Sequence, residues 1–132
     1  MIKIDNYKHS QITQNIIYVF NKVHSIYGYG FPKKSYVDAL FAEFSKMDLL
    51  IKNYVKVFHE DDFPDVFLAD FMIEKAILIE IKTLKTLPVE TEFEIAKHLN
   101  VSEIKIALLL NFGKKPEFNC KIFTTNTVFA LP

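Results

Sequence analysis

Asp70, Glu80 and Lys82 interrupt the otherwise largely aliphatic run LADFMIEKAILIEIKTL, residues 68–84. An unpaired charge buried among such neighbours is expensive, so their types and spacing call for a reason. Two converging carboxylates repel each other, and a hard divalent cation between them relieves the repulsion. Magnesium takes one or two carboxylates, completed by waters and substrate phosphate oxygens. The backbone carbonyl of Ile81, between Glu80 and Lys82, adds a possible ligand. Such an ion acidifies a bound water and draws charge from a phosphodiester, while Lys82 orients the water or steadies charge developing on the phosphate. The chemistry would be phosphodiester hydrolysis. The competing reading is an amphipathic sheet whose wet face carries Glu80 and Lys82 as an ordinary surface pair, and the spacing alone favours it.

Which reading holds depends on the strands that carry the three residues. Alternation along 76–84 puts Ile77, Ile79 and Ile81 on one face and Leu78, Glu80 and Lys82 on the other. On the preceding strand, 66–73, it puts Leu68, Asp70 and Met72 together, opposite Phe67, Ala69 and Phe71. Directly paired residues of an antiparallel ladder point the same way. A three-residue loop at Glu74–Ala76 sets Asp70 opposite Glu80. A two-residue loop sets it opposite Ile79 and disperses the cluster.

Around this hairpin the periodicities predict the remaining elements. Ile12, Ile16, Val19, Val23 and Ile26 recur at helical spacing, giving a helix over Ser10–Tyr27 that Gly28 and Gly30 end. A second helix carries Tyr36, Leu40, Phe44 and Met47 on one stripe. NYVKVFH reads as a strand, followed by the acidic turn HEDDFPD. TLPVETEFEIAKHLN reads as a helix with Pro88 in its first turn. IKIALLLNF reads as a strand buried on both faces, and CKIFTTN as a last strand. The order α-α-β-β-β-α-β-β is that of a mixed sheet flanked by helices, with the later strands reached by a helical crossover.

The 132 residues fit one domain, 1–132, and half of them are hydrophobic, which argues against disorder. No apolar run approaches the roughly 18 residues of a membrane span, and MIKIDNYKHSQ carries no secretory signature. One cysteine, Cys120, rules out an internal disulfide framework. No membrane partner and a cytoplasmic setting are expected. Lysine plus arginine equals aspartate plus glutamate at 16 each, so a nucleic-acid partner would have to be held by a local basic rim.

In order and spacing the motifs resemble the GxxExxY family, a small branch of the PD-(D/E)XK nuclease-like superfamily. IIYVFNKVHSIYGYGFPKKSYVDAL resembles its first helix, Gly-x-Gly-Phe turn and second helix. FLADFMIEKAILIEIKTL resembles its Asp-then-Glu-x-Lys hairpin, and IALLLNFG its closing strand. The resemblance implies a restriction-endonuclease-like fold, Asp70 and Glu80 as ligands of magnesium or manganese, and Lys82 as the catalytic lysine. Gly30 and Tyr36 occupy the first and last positions of the signature, but Lys33 stands at the glutamate. Lys22 likewise replaces a first-helix glutamate, and Glu94 and His98 stand where related nucleases carry glutamine and tyrosine. Reversal of charge at position 33 leaves two expectations: a magnesium-dependent nuclease, or a relative that binds nucleic acid or a protein without cutting.

Other candidates are weighed against ordinary roles. His24, on the apolar side of the first helix, reads as a packed, hydrogen-bonded histidine, and the resemblance implies a place near the active-site end. Tyr36 continues the core stripe of its helix. HEDD at 59–62 reads as solvated turn carboxylates, and Cys120 as a strand residue without an activating neighbour. Lys33–Lys34 and Lys114–Lys115 would frame a phosphate groove if the sheet brought them together.

Overall fold

A computed structural model describes residues 3–58, 66–88 and 104–122. Helix α1 spans Lys3–Tyr27 and α2 Lys33–Phe44, followed by a short 3-10 turn over Ser45–Met47. The strands are β1 (Ile51–Phe58), β2 (Val66–Ile73), β3 (Ile77–Lys82), β4 (Ile106–Phe112) and β5 (Pro116–Ile122). They form one sheet in the order β1-β2-β3-β4-β5. All neighbours are antiparallel except β3 and β4, which run parallel from Ile77↔Ile106 to Lys82↔Asn111. The expected mixed sheet flanked by helices is the one that forms.

Helix α1 begins earlier than the apolar periodicity indicates, because nothing in the polar segment before Ser10 breaks a helix: it contains neither glycine nor proline. It ends where expected. Gly28 takes a left-handed φ of 71° and its N–H bonds the His24 carbonyl at 2.7 Å, an αL cap that a side chain would strain. Ile16, Val19 and Val23 are buried as their spacing predicts, whereas Ile26, one turn further, is exposed. The strand expected at CKIFTTN starts earlier, at Pro116, directly after the turn that follows β4. Proline is tolerated at a first strand position. Cys120 lies on the exposed side of β5.

The main core lies between the helices and one face of the sheet. Ile16, Phe20, Val37, Leu40 and Phe44 pack on Phe71, Ile79, Ile81, Leu108, Leu110 and Phe112. A smaller cluster of Ala69, Leu78, Ile104, Ala107 and Leu109 occupies the other face. β4 is buried throughout, which explains its unbroken aliphatic sequence. The helix expected in TLPVETEFEIAKHLN falls almost wholly on residues outside those described, as do HEDD, Glu94 and His98.

Candidate functional site

The β2–β3 connection has three residues, Glu74, Lys75 and Ala76, between the paired Ile73 and Ile77. Glu74 and Lys75 both adopt left-handed backbones, and the Ala76 N–H closes the turn on the Ile73 carbonyl. This register sets Asp70 level with Glu80. Yet the two strands pair only as far as Phe71↔Ile79. Beyond that point β2 continues beside β1 and β3 beside β4, so the sheet opens as a fork with Asp70 and Glu80 on its two arms.

Asp70 fills the opening. Its Oδ2 accepts the Ile81 N–H at 2.6 Å, a donor that a continued ladder would have given to β2. Its Oδ1 lies 3.1 Å from the Lys33 ammonium. Strict alternation fails here. Phe71 and Ile73 face the helices, but Leu68 and Asp70 also line a cavity with Lys33 and Val37 of α2, while Ala69 packs in the opposite cluster. The grouping of Leu68 and Asp70 with Met72, which alternation predicts, is therefore corrected: Met72 packs on the opposite face. The cause sits across the sheet. Pairing of β1 with β2 runs through Asn53↔Phe71 and Val55↔Ala69 and steps over Tyr54, whose φ is 58°. That left-handed backbone, costly for an aromatic residue, breaks the pleat opposite Asp70.

Asp70 is 3% and Glu80 7% exposed. A wet sheet face is thereby excluded. Glu80 Oε2 pairs with Lys82 at 3.3 Å, and Oε1 is buried without a hydrogen-bond partner among the described residues. Burial pushes the Glu80 carboxyl above its ordinary value against the opposing pull of Lys82, and the Asp70 charge adds to the rise. Two carboxylates thus face two ammonium groups, one pair on each arm.

Lys33 reaches Asp70 because of the turn before α2. The Tyr36 hydroxyl donates to the Gly28 carbonyl at 2.6 Å and accepts the Phe31 N–H at 3.3 Å. Its ring stacks on Phe112 at 4.1 Å. Gly30, with φ of 115°, completes the bend. Gly30 and Tyr36 are thus structural: they set residue 33, the first of α2, over the fork. A lysine there opposes the helix dipole, which favours acidic side chains in the first turn, and Asp70 compensates it. Lys34 also lines the cavity and pairs with Asp38 at 2.9 Å. The hydrogen bond and charge of Asp38, with a smaller contribution from the Tyr54 phenol, raise Lys34 above the usual lysine value.

His24 is a tether. Its Nε2 donates to the Gly113 carbonyl at 2.8 Å and its ring stacks on Phe112. Gly113 has no room for a side chain, since a Cβ would lie 2.6 Å from the Leu84 carbonyl oxygen. Lys114 and Lys115 occupy the exposed turn that follows β4, at the same end of the sheet as Lys82, because β3 and β4 run parallel. Both ion pairs on the site carboxylates come instead from Lys33 and Lys82.

Two further residues shape the site without a strong signal in the sequence. Asn111, fully buried, accepts the Leu84 N–H and donates to the Leu84 carbonyl, both at 2.8 Å. It pins the chain just after Lys82. A lone amide inside IALLLNF was the available signal. Tyr54 had none, because its residue type does not announce the left-handed backbone that breaks the pleat.

Among the described residues no three His, Cys, Asp or Glu side chains gather as a metal cage. Two carboxylates, one with an unpartnered oxygen, still fit magnesium or manganese, which need few protein ligands. Among the described residues, no helix is long and apolar enough to cross a membrane. No curated protein and no solved structure matches the chain. A model of the PD-(D/E)XK nuclease superfamily matches residues 10–122, and the mixed five-stranded sheet with its helices is consistent with the restriction-endonuclease-like fold. A match over most of its length, on a forked hairpin bearing Asp70, Glu80 and Lys82, places this chain in the PD-(D/E)XK nuclease superfamily.

Proposed function

We propose that the protein is a metal-dependent nuclease of the GxxExxY branch, hydrolysing phosphodiester bonds of DNA or RNA, as one domain over 1–132. The observation that carries this reading is the pair of buried carboxylates at the fork, with one Glu80 oxygen unpartnered. The turn built by Gly30 and Tyr36 supports the branch assignment. Asp70, Glu80 and the Ile81 carbonyl would hold magnesium or manganese. A bound ion would supply the acidity for water and the electrophile for phosphate.

The chain's own residues divide the remaining work. Asp70 keeps the fork open by taking the Ile81 N–H in place of a strand. Lys82, at the half-exposed end of β3, holds an attacking water or donates to charge appearing on the phosphate. Lys33, released from Asp70, is free to contact a phosphate oxygen, with Lys34 beside it. Lys114 and Lys115 extend the basic rim at the same end of the sheet. His24 and Tyr36 act by fixing the helices on Phe112.

A second reading is favoured by one contact. The Lys33 ammonium on Asp70 supplies the cation that an ion would otherwise supply, as a nuclease-like domain that binds nucleic acid or a protein without cutting would need. One experiment separates the two. Magnesium and manganese binding is followed by calorimetry, and cleavage of DNA and RNA is followed with each ion. The nuclease reading expects metal-dependent cleavage that Lys82→Ala and Asp70→Asn abolish while both variants retain native circular dichroism. Absence of both binding and cleavage sinks it, and nucleic-acid affinity with a steep salt dependence would then support the second.

A further inference from the structure

Beside the fork lies a cavity of about 430 Å³ lined by Lys33, Lys34, Val37, Tyr54, Leu68 and Asp70. Tyr54 is 49% and Leu68 50% exposed, so an aromatic ring and an aliphatic side chain stand open to solvent beside two lysines. Tyr54 is level with Asp70 in the β1–β2 register, the pairing steps over it, and its backbone is left-handed. Glycine or asparagine would adopt that backbone at little cost, and tyrosine does not. Strain of this kind, kept next to the candidate site, points to a side chain retained for what it contacts.

We propose that this cavity is a stacking subsite for an unpaired nucleobase, so that the protein's substrate is single-stranded nucleic acid. The inference rests on the nuclease reading and names its substrate class. A base stacks on the Tyr54 ring with Leu68 against its edge, and the phosphate of the same nucleotide lies toward Lys33 and Lys34. Base–aromatic stacking tolerates any base, because each has a π face. The Lys34–Asp38 pair is exposed and between neighbours on one helix, so it yields readily to a phosphate. A duplex would have to unstack and extrude a base to fill the same space, which disfavours it.

The test is fluorescence polarisation of a labelled twelve-nucleotide pyrimidine oligomer, as DNA and as RNA, single-stranded and in duplex, with chelator present to prevent cleavage. The expected order is single strand bound more tightly than duplex. Tyr54→Phe keeps the ring and the affinity. Tyr54→Gly loses the single strand by about tenfold, the size of one stacking contact, while its melting temperature does not fall, because glycine relieves the backbone. Unchanged single-strand affinity in Tyr54→Gly, or tighter binding of duplex, overturns the subsite and leaves the nuclease reading standing. Failure of every nucleic acid to bind overturns the subsite too, while the nuclease reading falls only if metal binding and metal-dependent cleavage are absent as well.

Discussion

The two ends of the β2–β3 hairpin differ in what they ask of their residues. From Phe71 to Ile79 the ladder is regular, side chains alternate, and Phe71, Ile73, Ile77 and Ile79 are wholly buried against the helices. Directly beyond Phe71 and Ile79 the ladder forks, alternation breaks at Asp70, and two carboxylates are buried against two lysines and the Ile81 N–H. One half of the hairpin stabilises the fold through apolar burial. The other sacrifices stability to hold charge out of water, and this is where a reactive site has something to work with.

The contrast predicts opposite signs for truncation in the two regions. The largest effect belongs to the apolar core into which the regular half packs: Phe112 of β4 shares the cluster of Phe71, Ile73, Ile77 and Ile79, and Phe112→Ala removes the ring on which Phe20, His24 and Tyr36 converge. Denaturant unfolding should register a loss of about 3–5 kcal/mol. Gly113→Ala forces a Cβ against the carbonyls of Leu84 and Lys85 and should cost about 1–3 kcal/mol, with the His24 tether weakened in the same variant.

At the fork the sign reverses. The folded Glu80 carboxyl is raised above its unfolded value of roughly 4.3, so the native state holds its proton longer than the unfolded chain. Its contribution to stability is complete below the unfolded value and is lost as pH rises through the folded one. Glu80→Gln should therefore melt higher than the parent at pH 7 in metal-free buffer, with the difference shrinking toward pH 4. A Glu80→Gln variant less stable than the parent at pH 7 would erase the distinction between the two regions. Removing the lysine rather than a carboxylate acts in the other direction: Lys33→Met leaves the Asp70 carboxylate, 5% exposed at its side chain, with the Ile81 N–H to compensate it. Lys33 itself is 44% exposed, so solvent tempers the loss, and a destabilisation of about 1–2 kcal/mol in denaturant unfolding is expected.

Much of this was legible in the sequence because the core obeys simple periodicities. Ile16, Val19 and Val23 repeat at helical spacing, and the unbroken IALLLNF announced a strand buried on both faces. The candidate site was legible in type but not in arrangement. The loop Glu74–Lys75–Ala76 decides whether Asp70 meets Glu80, and it turns through two left-handed residues that are neither Gly nor Asn, the residues such turns normally announce themselves by. Tyr54 hides for the same reason. That Asp70 lies with Lys33 rather than with Met72 follows from a distorted pleat two strands wide, which no alternation rule contains.

The parallel pairing of β3 with β4 has a consequence for the order of assembly. Asp70 and Glu80 sit on one hairpin with a three-residue loop, and such hairpins close over microseconds. β4 is reached only after more than twenty residues of intervening chain, and non-local pairing is slow because its closure entropy comes first. The charged pair is thus brought together while water still surrounds it, and dehydration arrives later, when β4 docks and Asn111 clasps Leu84. Pulsed hydrogen exchange should find the amides between Phe71 and Ile79 protected before those of Ile106–Phe112.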